Sequence, residues 1–206
     1  MTPAARLSAA IELIETIDAQ RVPAAKALKE WGTAHRFAGS GDRAAIAGLV
    51  WDVLRRLASS AWIMDADTPR ARLLGMLKLE RGMDADAISN LCHGDRFAPE
   101  PLSTAERAAL SSRTLDDAPP HIAGDYPEWL DPHLAKVFGA DRVAEATAMA
   151  SRAPLDLRVN TLKSSRDKVL PRLSFWAIEL WATAYAPLSM IARWNRPAAS
   201  GDARWV

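Results

Sequence analysis

The sequence has one cysteine, Cys92, in 206 residues, so no disulfide can form within the chain. A lone thiol fits a reducing compartment, and a cytoplasmic protein is expected. No apolar run reaches the roughly 18 residues that a membrane-spanning helix requires. The first helical pattern carries Glu12, Glu15 and Asp18, where an export signal would need an uncharged apolar block. A soluble chain with no membrane partner is expected. No glycine-rich loop follows a strand pattern and opens a helix; Gly39-Ser40-Gly41 joins two helical patterns and is not a nucleotide cradle.

Metal and nucleophile chemistry is equally sparse. His35, His93, His121 and His133 stand far apart, and Cys92-His93 has no partner cluster, so no metal site is expected. Neighbours on a helix point about 100° apart, which suits a nucleophile and its base poorly. Cys92 therefore reads as a partly buried structural thiol. The acid pairs Asp65 and Asp67, and Asp84 and Asp86, stand where helices are expected to begin, and the helix dipole accounts for them without catalysis.

What is present is a folded-protein composition, with 49% hydrophobic and 25% charged residues. The net charge of +1 hides a step. Residues 116–151 hold two basic and seven acidic side chains, whereas 152–206 hold nine basic and four acidic. Two modules are expected to meet near residue 150, the second being the candidate for phosphate contact. A solvated surface of uneven charge is the competing reading.

Helical signals dominate the first ~115 residues. Thr2 and Pro3 suit the start of a helix bearing Leu7, Ala10, Ile11, Ile14 and Ile17. Pro23 opens a second. A third carries the stripe Ile46, Leu49, Val50, Val53, Leu54 and Leu57, with Trp51, Arg55 and Trp62 opposite. That opposite side reads either as an exposed aromatic and basic ridge or, preferably in an all-helical domain, as a second buried side with Arg55 at its rim. Thr68-Pro69, Asp84 or Asp86, and the capping-box pair Ser103 and Glu106 start three more helices. The stretch 116–125, with Pro119-Pro120 and Gly124-Asp125, is the expected linker between a helical domain at 1–115 and a module at 126–206.

Beyond it, Tyr126 to Phe138 and Asp141 to Ala150 read as helices. Leu155-Asp156-Leu157-Arg158-Val159-Asn160 alternates as a half-buried strand does. Ser164 is placed to cap a helix that Pro171 should shorten or kink, and Ile178 to Trp181 reads as a second strand. The fold class expected is mainly α, a helical domain followed by a small α+β module.

Three segments, in order, resemble one family. Arg43-Ala44-Ala45-Ile46-Ala47-Gly48-Leu49-Val50-Trp51-Asp52-Val53-Leu54-Arg55-Arg56 resembles the central helix of the NusB-like domain that opens the RsmB/Sun group of bacterial RNA cytosine methyltransferases. Tyr126-Pro127-Glu128-Trp129-Leu130 is similar to the entry into that group's middle region. Pro154-Leu155-Asp156-Leu157-Arg158-Val159-Asn160-Thr161-Leu162-Lys163 closely resembles the strand and turn before its catalytic domain.

The resemblance covers nearly all of this chain and about the first half of a typical member. It implies ribosomal RNA as partner and S-adenosylmethionine as the full-length family's cofactor, with methyl transfer to cytosine carbon 5 by a two-cysteine scheme. Nothing here matches those catalytic motifs. The expectation is a chain truncated before its catalytic domain, with no cofactor, no metal and no catalytic residue of its own. Alternatives are a non-enzymatic NusB-like module of the antitermination type, or a nonfunctional remnant. The RNA-binding residues expected are Arg158 and Asn160 on the polar face of the strand, with Lys163 and Arg166 nearby. The structural alternative pairs Arg158 with Asp156 and gives Asn160 to the turn backbone.

Overall fold

The computed structural model describes residues 1–153, 155–174, 178–182 and 189–194, with 155–156, 172–174, 178–182 and 189–194 described by backbone alone. The fold is mainly α. The chain divides into two compact units between Ser151 and Arg152, at the charge step.

The first unit starts as its capping chemistry dictates. Helix α1 (Pro3–Gln20) opens with Thr2 Oγ1 accepting from the Ala5 N–H at 3.2 Å. Helices α2 (Ala24–Ala34) and α3 (Ser40–Arg55) follow. After α4 (Leu57–Met64), Thr68 caps α5 (Pro69–Arg81), and Asp84 caps α6 (Ala85–Leu91). Ser103 and Glu106 form the expected capping box on α7 (Thr104–Ser112). Leu13, Ile14, Ile46, Val50, Val53, Leu73, Leu74 and Met76 are fully buried in one core with Ile63 and Ile88. Each contributes about 1.5–3 kcal/mol by leaving water.

The expected third helix is two helices. Arg56 leaves helical geometry (φ −127°, ψ 37°), and its N–H turns to Val53 O. The cause lies far away in sequence: the Arg56 guanidinium meets Glu80 at 3.4 Å and Asp125 at 3.6 Å. The ridge of Trp51, Arg55 and Trp62 is therefore not one surface. Trp51 is 40% exposed on α3, Arg55 pairs with buried Asp52, and Trp62 on α4 donates its indole N–H to Thr114 O. Asp52 also accepts from Arg81 at 2.6 Å. Behind the break, α4 and α5 approach so closely that a Cβ on Gly75 would lie 2.3 Å from Ser60 O.

The stretch 116–125 lies inside the first unit. Pro120–Ala123 forms the short helix α8, and Asp125 reaches back to α4. Gly124 is packed so that a Cβ there would meet the Tyr126 ring at 2.4 Å. Proline composition signals a break in periodicity, while long-range polar partners tie the segment down. The helix expected from Tyr126 starts at Asp131 instead: a 3-10 turn at Glu128–Leu130, entered at Pro127, precedes α9 (Asp131–Phe138), whose first turn holds Pro132. Helix α10 (Arg142–Ala150) completes the unit.

The second unit contains β1 (Leu155–Arg158), α11 (Arg166–Ser174), β2 (Ile178–Ala182) and β3 (Ser189–Trp194). The sheet order is β1-β3-β2 with both pairings antiparallel. Strands β1 and β2 thus run parallel and flank β3, the arrangement of a split β-α-β motif. Leu157 pairs with Met190 and Leu180 with Ala192 in register. Strand β1 stops two residues before the expected end because Asn160 enters a turn. Helix α11 starts at Arg166, so Ser165, not Ser164, stands before it, and its carbonyl accepts from Lys168 and Val169. The helix is nine residues long, with Pro171 inside it.

Candidate nucleic-acid interface

The expected RNA-binding residues sit on one connection, between the end of β1 and the first turn of α11. The alternation persists as far as the strand's side chains are described: Leu157 is half-buried, Arg158 exposed, Val159 buried and Asn160 exposed. Asn160 then shapes the turn. Its carbonyl accepts the N–H groups of Lys163 and Ser164, both at 3.0 Å, and its Oδ1 accepts the Leu162 N–H at 3.0 Å. This side-chain-to-backbone closure is an Asx turn. Asn160 therefore has a structural role in the turn. The Asp156 side chain, and with it the alternative Arg158–Asp156 pair, lies outside the described residues.

Arg158 and Lys163 are exposed and Arg166 half-buried, and none takes an ion pair among the described residues. Leu162 stands at the turn's tip, 96% exposed. Lys163 on a turn fixed by its own backbone bonds, with Arg158 and Arg166 flanking it, suits phosphate or sugar contact, which positions a nucleic acid without reading its sequence.

Other polar clusters resolve into structural roles. Cys92 is buried at the C-terminal end of α6, and burial pushes its thiol up, Arg70 pulling the other way. His93 directs Nδ1 to Asp95 at 3.1 Å. Of the acid pairs, Asp84 caps α6 through the Ala87 N–H and Asp86 meets Arg107 at 2.6 Å. Asp65 and Asp67 do not start a helix: Asp65 ends α4 with φ 53°, and Asp67 pairs with Arg72, while Thr68 supplies the cap. Tyr126 donates to Asp131, which also accepts from Arg142; these bonds hold the Asp131 carboxyl below the usual carboxylate range. Among the described residues no group of three or more His, Cys, Asp or Glu side chains is placed to hold a metal. No helix among them is long and apolar enough to cross a membrane.

Among the described residues, the two places where a glycine-rich nucleotide cradle could be sought do not form one. The connection from β1 to α11, Val159 to Ser165, contains no glycine, and Gly39 serves as the N-cap of α3 with Asp42 returning to its N–H at 3.3 Å. Neither forms a glycine turn between strand and helix.

Comparison with known proteins places this geometry. Residues 126–193 match the domain family described as Methyltr_RsmF/B-like, ferredoxin-like domain. The match takes in α9 and α10 of the first unit and the second unit as far as Arg193 in β3. No curated protein matches the chain. The crystal structure of PH0851 is similar in fold, with a TM-score of 0.50 and 16% identity, over 94% of this chain and 49% of that one. This chain thus spans about half the length of that protein. Residues 126–193 are thus similar to the ferredoxin-like domain of the RsmF/B-like family, and the chain shares a fold with PH0851.

Proposed function

We propose that this chain is the RNA-recognition part of an S-adenosylmethionine-dependent ribosomal RNA cytosine-5 methyltransferase. The observation that carries the reading is the turn at 160–164, where Arg158, Lys163 and Arg166 surround a connection braced by Asn160 inside the matched domain. On this reading the chain holds and positions RNA, and binding of the methyl donor and attack on the cytosine belong to the family's catalytic domain. The split β-α-β unit favours this reading over a stand-alone NusB-like antitermination module, whose helical domain has no use for it.

The test is fluorescence anisotropy of a labelled single-stranded ribosomal RNA fragment against the chain at several salt concentrations. Affinity should fall steeply with salt. The double variant Arg158→Glu, Lys163→Glu should bind more weakly, with a log–log salt slope shallower by about 1.4, at about 0.7 for each phosphate no longer neutralised. Its melting temperature should match the wild type. Unchanged affinity with a lowered melting temperature would assign these residues to the fold and remove this surface from the reading.

A further inference from the structure

The helical unit carries an aromatic stack that the turn at 160–164 does not use. The His35 ring lies flat against Trp31, centroids 4.3 Å apart and planes 16° apart. Phe37 meets His35 edge-on at 5.7 Å and 82°. Trp31 is buried, whereas Phe37 is 73% exposed. The stack is braced from below: the N–H of His35 donates to Trp31 O at 2.9 Å, and His35 Nδ1 lies 2.9 Å from the same oxygen. Arg43 Nε donates to Ala38 O at 2.8 Å, which fixes the backbone beside Phe37.

The surroundings are cationic. Arg36 adjoins Phe37 and is exposed, as are Lys29 on α2 and Arg43 on α3, and none of the three takes an ion pair among the described residues. The two acids of this region are already matched. Glu30 pairs with Lys26 at 3.8 Å, and Asp42 with the Met1 amine at 3.2 Å and Arg6 at 2.8 Å. The outer face of α2 adds a shallow depression lined by Lys26, Lys29, Glu30, Thr33 and Ala34.

A protein-docking face would present a contiguous apolar patch. Here one ring stands exposed, between Arg36 and the buried Ala38, with Gly39 and Ser40 following. An exposed, rigidly backed aromatic among unpaired cations is the combination that binds single-stranded nucleic acid: a base stacks on the ring and the cations track the phosphates. We infer that Phe37, with Arg36, Lys29 and Arg43, forms a base-stacking site for single-stranded RNA on the helical unit, separate from the turn at 160–164. The inference rests on the reading that this chain binds RNA, and it adds an independent contact.

The experiment uses the full chain and two labelled probes, a mixed-sequence single-stranded RNA of about twelve nucleotides, within the span such sites cover, and a hairpin duplex. Phe37→Ala should weaken binding of the single strand about tenfold, the loss of one stacked base. Phe37→Tyr should retain it, and the duplex should be indifferent to both changes. Removing an uncharged ring should leave the salt slope unaltered, whereas Arg36→Glu should make it shallower. Equal single-strand affinity for Phe37→Ala and wild type would overturn the site, as would equal losses for Phe37→Ala and Phe37→Tyr. Arg158→Glu with Lys163→Glu, measured in parallel, separates the two surfaces. Loss with Phe37→Ala alone supports this site and overturns the turn at 160–164; loss with the charge reversals alone does the opposite. A wild-type chain that binds neither probe overturns both.

Discussion

The Asp125 carboxylate closes on Ser59, accepting from its backbone N–H at 2.8 Å and its hydroxyl at 2.6 Å across 66 residues of sequence. Arg56 lies 3.6 Å away. Burial pushes this carboxyl up, against the pull of Ser59 and Arg56. A folded-state pKa above the unfolded one means that the native protein binds the Asp125 proton more tightly. That contribution is fully present below the ordinary aspartate pKa and is lost as pH rises through the raised value.

Asp125→Asn keeps the shape and an oxygen acceptor for Ser59 but cannot titrate. The melting temperature of the variant relative to wild type should therefore be more favourable at about pH 7 than at about pH 3.5, windows set by the ordinary carboxylate range. Carboxyls held low in both proteins, such as Glu106 beside Arg70, cancel in the difference. Thermal melts at the two pH values measure it. A difference that is constant or of opposite sign would show that Asp125 is ionised in the fold without cost.

The contact between α4 and α5 is set by one missing methyl group. A Cβ on Gly75 would fall 2.3 Å from Ser60 O and 2.8 Å from Ser60 Cα, and backbone cannot yield as a flexible side chain can. Gly75→Ala should destabilise by more than about 2 kcal/mol, the usual scale of overpacking in a close contact. Gly41→Ala, inside α3 with nothing within 4 Å, is the control and should be neutral or stabilise by up to about 1 kcal/mol through helix propensity. Urea titration distinguishes them, and equal stability of the two variants would mean that α4 and α5 do not cross this closely.

Legibility followed the range of the interactions. Thr2, Thr68, Asp84 and Ser103 are readable as helix starts because each cap reaches only three residues along the chain. The break at Arg56 is not, because its cause is Glu80 and Asp125, and a continuous apolar stripe runs through it. Asp52 looks like one polar residue on an apolar helix; its second partner, Arg81, is 29 residues away. Strand β3 escapes a reading by pattern since Ser189-Met190-Ile191-Ala192-Arg193-Trp194 has no clean two-residue alternation, whereas β1 and β2 are legible. At the turn, the sequence leaves Asn160 two roles, and geometry alone supplies the bond to Leu162.

Cys92 tests how closed the helical core is. Its thiol is 2% exposed and is raised by burial, so both access and thiolate fraction are low in the native protein. An aromatic disulfide reagent at about pH 8 should label it at least on the order of 100-fold more slowly than a small free thiol, since reaction waits on opening. Denaturant should release the full rate. Native labelling at the free-thiol rate would show that the end of α6 opens readily and that Cys92 is not closed off by the core.

The turn at 160–164 separates shape from charge within a few residues. Asn160 Oδ1 holds the Leu162 N–H, so Asn160→Ala removes an acceptor from an Asx turn and should cost roughly 1 kcal/mol of local stability. Asn160→Asp retains the oxygen and should cost less. Lys163 is exposed, and only its backbone N–H serves the turn, so Lys163→Glu should leave stability unchanged. Amide hydrogen exchange of Leu162, Lys163 and Ser164 reads this directly. Protection should fall in Asn160→Ala, persist in Asn160→Asp and be untouched in Lys163→Glu. If Lys163→Glu also loosens these amides, its side chain braces the turn. Any effect of that variant on RNA would then reflect the turn's shape, and the cation would lose its separate standing as a phosphate contact.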